Sequence, residues 1–493
     1  MELKVRTLKW SAGLPVAMIH PETAKKMGVH ENDRISIKKF EKNSPEFSTT
    51  VNTAEKIIKE NELGISDEIK SHLRLRNNQR VDVNLAKSPV SLYYIRKKLD
   101  GAKLSGNEIS EIIKEVVNNS LSENEISLFV SAMYKNGMNF EETVNLVKAI
   151  LKNGKKLSIK GKYIVDKHCI GGIPANRTTP IVVSICASAG LIVPKSSSKA
   201  ITSAAGTADV IEAIADVEFS IKDLEKIISK TGAFMVWGGG LNLVPADAKI
   251  LKVEKLLKVD PRAQLLASIM SKKLAVRSKY ILIDIPYGKT AKVDKKQGLK
   301  LKKDFERLGK YFHLKLKAIL TKGNEPIGNG IGPILELIDI IKVLNPSEKG
   351  PSDLEEKSLF LAGQIFEMTG KAPKNKGTDM AREVLYSGKA FEKFIEIIKA
   401  QNGKVTNLEP GKYRKDILAE KNLIISEIDN RKTNMLARVA GCPVDKSSGV
   451  YLHAHVGTRL KKGEKVLTIY SESRPRLREA IDYYYKEKPI KFK

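Results

Sequence analysis

The chain has very little of what staples small secreted folds. Its 493 residues include only three cysteines, Cys169, Cys186 and Cys442, and their spacing matches no metal-ligand pattern. A sparse, odd count excludes a disulfide framework and points to a reducing, cytoplasmic setting. No apolar run approaches the roughly 20 residues that a membrane-crossing helix needs. No apolar segment follows Met1-Glu2-Leu3-Lys4, so neither a secretory signal nor a membrane partner is expected. Gly288-Lys289-Thr290 lacks the first glycine of a P-loop at the right spacing, which excludes an NTPase of that class. Tryptophan is scarce at two, yet 42% of residues are hydrophobic. That is ordinary for a soluble chain long enough for two to four domains.

Lysine is what the chain has in excess. The formal net charge is +29. The basic residues are spread along the chain and often sit beside acidic ones, as in Lys222-Asp223-Leu224-Glu225-Lys226. There is no arginine-rich arm, so a dedicated nucleic-acid partner is not expected; a general compositional bias towards lysine accounts for the charge, with attraction of small anionic substrates a secondary benefit. A non-enzymatic RNA-binding protein remains the rival from a different class.

One stretch, residues 164–212, carries most of the chemistry. It opens Ile164-Val165-Asp166-Lys167-His168-Cys169-Ile170-Gly171-Gly172. The apolar approach to Asp166 reads as the end of a buried strand, and the glycines let the backbone turn close to a ligand. The apolar run 180–190 then reads as a buried helix, whose N-terminus aims unpaired N–H groups at an anion. The second half, Lys195-Ser196-Ser197-Ser198-Lys199-Ala200-Ile201-Thr202-Ser203-Ala204-Ala205-Gly206-Thr207-Ala208-Asp209, adds hydroxyls and two ammonium groups. Either half alone is a common loop composition. Together they describe an anion cradle.

These paired motifs resemble the thymidine phosphorylase family, which carries Asp-Lys-His-Ser-x-Gly-Gly and a Ser/Gly-Arg loop followed by Gly-Thr-x-Asp-x-x-Glu. The resemblance extends more loosely from about residue 88 to the C-terminus, and its archaeal AMP phosphorylase branch matches best. Two residues depart from the pattern. Cys169 replaces the usual Ser and is the weaker donor. Lys199 replaces the usual Arg and cannot make its bidentate fork.

The resemblance implies phosphorolysis of nucleoside 5′-monophosphates, AMP and phosphate giving adenine and ribose 1,5-bisphosphate. It implies a homodimer or larger assembly, and inorganic phosphate as co-substrate with no metal and no organic cofactor. It makes Lys167, Ser197 and Thr207 phosphate binders, with Cys169 beside them and His168 near the sugar. Gly172, Ser198, Lys199, Ala200, Ile201, Thr202, Ser203, Thr207, Ser268 and Lys292 would contact the nucleotide. Lys272 would orient the base or act on the charge of Asp260. Asp260 would be the general acid toward the base, a role that calls for a carboxyl still protonated near neutral pH. From the residues alone, Asp260 before Pro261 reads first as a helix N-cap with Pro261 at N1, and it is the resemblance that favours the acid role. Pyrimidine nucleoside phosphorylases carry Leu-Arg-Asp shortly after Pro-Ala-Asp. Here Leu251-Lys252-Val253-Glu254-Lys255 has no such Arg, which argues against a pyrimidine nucleoside substrate. A phosphoribosyltransferase of related fold is a third reading, and it would demand Mg²⁺ and pyrophosphate.

The expected organisation is a multidomain α/β protein. It has a β-rich N-terminal domain (1–85), a small helical domain (86–161, with 246–277 returning to it), a large α/β phosphate-binding domain (162–245 and 278–345) and a β-rich C-terminal α+β part (346–493). Residues 29–35 resemble small double-psi barrel domains. Gly238-Gly239-Gly240 follows an apolar strand. Residues 280–286 read as a buried strand delivering Tyr287 to Lys292 to its C-terminal end, where open sheets bind ligands. Near the C-terminus, residues 456–470 read as a hairpin. His453 and His455 read as one face of a strand, structural rather than metal-binding.

Overall fold

The computed structural model describes residues 1–10, 15–41, 44, 46–86, 88–200, 203–239, 243–406 and 408–493. The expected residues Ile201, Thr202 and Gly240 therefore lie outside the described residues. The chain divides into two compact units, 1–153 with 245–267, and 154–244 with 268–493.

The first unit begins with a closed barrel of six strands, Glu2–Thr7, Ala17–Ile19, Arg34–Lys39, Phe47–Thr53, Glu62–Ile65 and Arg80–Leu85. Alternating residues such as Leu3 and Val5, Ile35 and Ile37, and Val81 and Val83 fill its interior. This is the period-2 pattern of a strand with one buried face. Closure leaves no unpaired edge. Helices Ser91–Leu99, Gly106–Val117, Glu123–Asn136 and Phe140–Lys152 follow. Three of them start with capping boxes, Ser105 with Glu108, Ser122 with Glu125 and Asn139 with Glu142. Each box satisfies two orphan N–H donors reciprocally. Glu142 also takes the buried Lys98 ammonium at 2.8 Å. The chain returns with helix Pro245–Leu257. Its Lys249 caps the Gly106–Val117 helix, donating to the Val116 and Val117 carbonyls at 2.8 Å.

The second unit is built on parallel strands. Val165–Cys169 pairs with Tyr280–Tyr287, which pairs with Lys315–Lys322. Val193–Ser197 pairs with Ala233–Trp237, and an Ile164–Ile192 bridge joins the two sets. Chain order runs outward from the first strand in one direction, then jumps to its other side. The strand pair Val165–Cys169 and Tyr280–Tyr287 is thus the switch point at which open α/β sheets bind ligands. Asp166 sits near the start of its strand rather than at the end, because the ladder continues to Cys169.

The helix Thr178–Ser188, buried from Thr178 to Ala187, packs between this sheet and helices Ser352–Thr369 and Lys389–Ala400. Leu354, Phe366 and Phe394 belong to the same apolar cluster as Val165 and Ile181. The boundary expected at 345/346 therefore does not coincide with a change of core. A separate cluster is centred later in the chain, around Ile417, Leu436, Val450 and Leu467, and takes in Ala175, Ala204 and Ile331. It lies among the strands Tyr413–Leu418, Leu423–Ile428, Gly449–Leu452 and Lys465–Ser471 and the helices Asn430–Ala440 and Arg474–Glu487.

The hairpin expected at 456–470 does not form. Arg459–Leu460 pairs with Leu423–Ile428, whereas Lys465–Ser471 pairs with Tyr413–Leu418 and Gly449–Leu452. His453 and His455 lie beyond the strand Gly449–Leu452. His453 contacts Thr468, and His455 contacts Glu325 and Asn329. With these corrections, the architecture is the multidomain α/β organisation expected, with a helical bundle, a large α/β part and a β-rich C-terminal part.

Candidate active site

The C-terminal ends of the parallel strands gather the candidate residues of the second unit. Lys167 is buried, and its ammonium donates to Thr178 Oγ1 at 2.6 Å and Thr179 Oγ1 at 3.4 Å, at the start of the buried helix. Burial pulls its pKa down to about 8. One residue on, burial together with Lys273, Lys195, Lys272 and Lys167 holds the His168 imidazole well below its usual range, so it is neutral at pH 7. The Cys169 thiol accepts from the Gly171 N–H at 3.4 Å and Asn176 Nδ2 at 3.5 Å. Burial, with Asp284 behind it, pushes that thiol up.

A charged layer whose pairings the sequence does not announce lies beneath these groups. Asp166 is fully buried between two ammonium groups, Lys273 at 2.8 Å and Lys195 at 3.3 Å. Lys195 also donates to the Lys167 carbonyl at 2.8 Å, tying the two strands together. Burial lowers Lys273 to about 7 against the pull of Asp166. Asp284, also buried, accepts from Thr321 at 2.6 Å and faces Lys357 at 3.2 Å. Burial opposes its charge, but Lys357 and Lys167 outweigh burial and hold it below its ordinary value. Lysines outnumber carboxylates in this layer, so it attracts an anion.

Several buried polar atoms there have no hydrogen-bond partner among the described residues: Ser196 Oγ, Ser197 Oγ, His168 Nδ1 and Asn176 Oδ1. Leaving such groups unpaired costs about 1–3 kcal/mol each, so their clustering marks a place built to meet a polar ligand.

The remaining residues close in from neighbouring loops. Gly172 has φ +92°, and a Cβ there would stand 2.6 Å from Lys292 Cβ, so only glycine permits this approach. The Lys292 ammonium reaches the Ile170 carbonyl at 3.4 Å. A Cβ on Gly206 would stand 2.5 Å from the Ser198 carbonyl, which lets the loop after Ser197 fold back. Within that loop Asp209 takes the Ala200 N–H at 2.6 Å and the Gly206 N–H at 2.8 Å. Ser203 Oγ donates to the Ala205 carbonyl at 3.0 Å. The Lys199 ammonium is held by Glu212 at 2.6 Å and lies 4.6 Å from the centre of the Trp237 ring. Thr207 Oγ1 accepts from Arg177 at 3.2 Å, and Arg177 also pairs with the buried Glu336 at 2.6 Å. Ser268 and Lys272 share a helix face, with the ammonium 2.9 Å from the hydroxyl.

Asp260 belongs to the first unit, on the connection between helices Pro245–Leu257 and Arg262–Ala275. The Pro261 carbonyl accepts the first helical N–H, from Leu265, at 2.9 Å. By backbone geometry Pro261 is therefore the residue before the first helical turn, and Asp260 stands one position further out. The Asp260 side chain is exposed, at the surface of its own unit. Lys252, which stands in the segment where pyrimidine nucleoside phosphorylases have their Arg, pairs with Glu123 at 2.5 Å.

Lys273, Arg177, Asp284 and Lys357 escape a reading of the sequence for site residues. A Lys at 357 on the apolar side of a helix, beside Leu354, Ser358 and Leu361, is the one signal available for them. Among the described residues, no group of His, Cys, Asp and Glu is arranged to hold a metal. No helix among them is long and apolar enough to cross a membrane.

Three family models match the chain. A glycosyl transferase family helical bundle domain covers residues 92–154, the α/β domain of the same family covers 161–391, and a pyrimidine nucleoside phosphorylase C-terminal domain covers 424–491. The chain is 45% identical to the AMP phosphorylase of Pyrococcus horikoshii, over 100% of this chain and 98% of that one. It is 41% identical to the AMP phosphorylase of Methanococcoides burtonii, over 98% and 95%. The chain belongs to the AMP phosphorylase family. Its fold also resembles the crystal structure of anthranilate phosphoribosyltransferase from Thermus thermophilus, at TM-score 0.52 and 19% identity, covering 63% of this chain and 99% of that one. The strand-end cradle is what this AMP phosphorylase family member has available for an anion.

Proposed function

We propose that the chain catalyses phosphorolysis of nucleoside 5′-monophosphates, with AMP and phosphate giving adenine and ribose 1,5-bisphosphate. The observation that carries this reading is the buried lysine layer, Lys167, Lys195 and Lys273, beneath the unpartnered Ser196, Ser197 and His168 atoms. A preformed cationic cradle holds phosphate beside the sugar, which lowers the entropic barrier to attack. A phosphate oxygen forms the new bond to C1′ of the ribose. The C1′–N9 bond breaks, its electron pair leaves with the base, and a proton from the Asp260 carboxyl neutralises the departing adenine.

Lys167, Ser197 and Thr207 are assigned to phosphate, with Cys169 beside them and His168 toward the sugar. Gly172, Ser198, Lys199, Ala200, Ile201, Thr202, Ser203, Ser268 and Lys292 are assigned to the nucleotide, and Lys272 to the base. The lysine charges take the part a metal plays in other phosphoryl sites, so no cofactor is required. A cytoplasmic location and a homo-oligomer complete the reading. Light scattering on the full chain and on a form lacking 1–85 tests the assembly, since the barrel core draws only on residues 3–83. The activity is tested by incubating the chain with phosphate and a panel of nucleotides and nucleosides, and reading the free base by chromatography. AMP should be cleaved fastest. Faster cleavage of thymidine or uridine than of every monophosphate would overturn the assignment.

A further inference from the structure

The helix Asn430–Ala440 lies far along the chain from every residue assigned to the site, yet it grips two of the site's loops. Its side chains at 430, 434 and 438 are four residues apart and share one face. Each reaches backbone in a loop that follows a parallel strand. The buried Asn430 donates from Nδ2 to Thr290 Oγ1 and to the Gly323 carbonyl, both at 3.0 Å, and from its backbone N–H to Thr290 Oγ1 at 3.2 Å. Asn434 Oδ1 accepts the Ala204 N–H at 2.6 Å. Arg438 Nη1 donates to the Ser203 carbonyl at 3.1 Å. On the first turn, Arg431 Nη2 donates to the Ala291 carbonyl at 3.1 Å.

These are not incidental surface contacts. Loop backbone has no ladder to satisfy it, so its N–H and C=O groups need partners from elsewhere. Here one helix supplies them for two loops at once. Ala291 immediately precedes Lys292, and Ser203 closes the hydroxyl-rich loop after Ser197. The spacing between Ser203 and Lys292 is therefore set by the rigid 430–438 face, because a helix keeps its i, i+4, i+8 separations fixed.

We propose that helix Asn430–Ala440 is a positioning element of the nucleotide site, with Asn430, Asn434 and Arg438 holding loops 203–204 and 288–292 in register. This rests on the phosphorolysis reading above. None of the three side chains is assigned to the reacting atoms. Their effect is on how well the nucleotide is held, and through that on turnover.

The test uses the full chain with Asn434→Ala, and with Asn434→Asp, which keeps an oxygen to accept the Ala204 N–H. Calorimetry measures AMP alone and inorganic phosphate alone, and thermal melting is followed in parallel. Asn434→Ala should weaken AMP about tenfold, the scale of one lost backbone hydrogen bond with its loop. Phosphate affinity should fall by much less, and Asn434→Asp should recover most of the AMP loss. Equal AMP affinity in Asn434→Ala and wild type overturns the proposal. So does a parallel loss of AMP affinity, phosphate affinity and melting temperature that Asn434→Asp does not repair, since that is a merely structural role. A wild-type protein that binds phosphate but no AMP removes the nucleotide reading itself, and the proposal with it.

Discussion

Replacing Arg177 by Met should damage stability and phosphate affinity together. The guanidinium makes three bonds: to Glu336 at 2.6 Å, to the Ala205 carbonyl at 2.7 Å and to Thr207 Oγ1 at 3.2 Å. Glu336 is 1% exposed, and burial raises its pKa even against Arg177 and the Gly332 N–H. Burial outweighs attraction, so the pair itself adds little net stability. Breaking it is another matter, because an uncompensated buried charge costs about 3–5 kcal/mol. Glu336 softens this by taking up a proton, which puts the loss near the lower end, about 3 kcal/mol. For a unit larger than 300 residues, spanning 154–244 and 268–493, an unfolding entropy of about 2 cal/mol/K per residue turns that loss into a melting-temperature drop of roughly 4–5 °C.

The sign with pH follows from linkage. A carboxyl whose folded pKa is raised keeps a proton that the unfolded chain has released, so its stability contribution falls as pH rises. The deficit of Arg177→Met should widen as pH rises above the unfolded carboxyl value of about 4.3. Adding Glu336→Gln should recover part of the loss, since a neutral amide leaves no charge to compensate. Thr207 supplies the functional readout. Its oxygen now accepts from Arg177, which leaves its own proton to donate to an anion, so the KM for phosphate should rise several-fold, the scale of one hydrogen bond. Thermal melts across pH with phosphate-dependent rates make the test. A variant that melts within about 2 °C of wild type, well under the calculated shift, would refute the reasoning, as would a double variant less stable than the single one.

Other outcomes follow from the same structure. Asp260→Asn should melt close to wild type and bind AMP, yet lose at least about a hundredfold in kcat; near-normal turnover would remove Asp260 as the proton donor. Cys169→Ser should keep or improve phosphate affinity, because a hydroxyl donates better than a thiol. Alkylation of wild-type Cys169 should be slow at neutral pH, because burial and Asp284 raise its pKa, and faster in alkaline buffer, as mass spectrometry of the modified peptide would report. At His455 burial opposes the charge, but Glu325, Asp353 and Asp339 outweigh it and raise the pKa. The ion pair with Glu325 should therefore stabilise fully below the unfolded value of about 6.5 and fade as pH rises through the folded one. His455→Asn should cost more melting temperature near pH 6 than near pH 9, and an equal cost at both would be evidence against the pair.

The parts of this fold legible in sequence are local. Alternation in residues 3–7 and 34–38, the Ser-x-x-Glu starts at 105 and 122, and the apolar run at 180–187 each encode their element within a few residues. The strand-end motifs are legible for the same reason, since Lys167, His168 and Gly172 sit within six residues of one another. What is not legible joins distant segments. Asp166 meets Lys273 across 107 positions, Arg177 meets Glu336 across 159, and Ala204 meets Asn434 across 230. No periodicity records such pairings. The hairpin expected at 456–470 fails similarly. Both strands are visible, but their partners lie in different sheets, and nothing within fifteen residues says so.

Where the phosphate goes decides between phosphorolysis and hydrolysis. Phosphorus NMR of the chain with AMP and inorganic phosphate follows both at once. The expected result is loss of inorganic phosphate in step with adenine release, with two new resonances of equal intensity for ribose 1,5-bisphosphate. Adenine released without phosphate, leaving ribose 5-phosphate, would make the chain a hydrolase and contradict the role given to the lysine cradle.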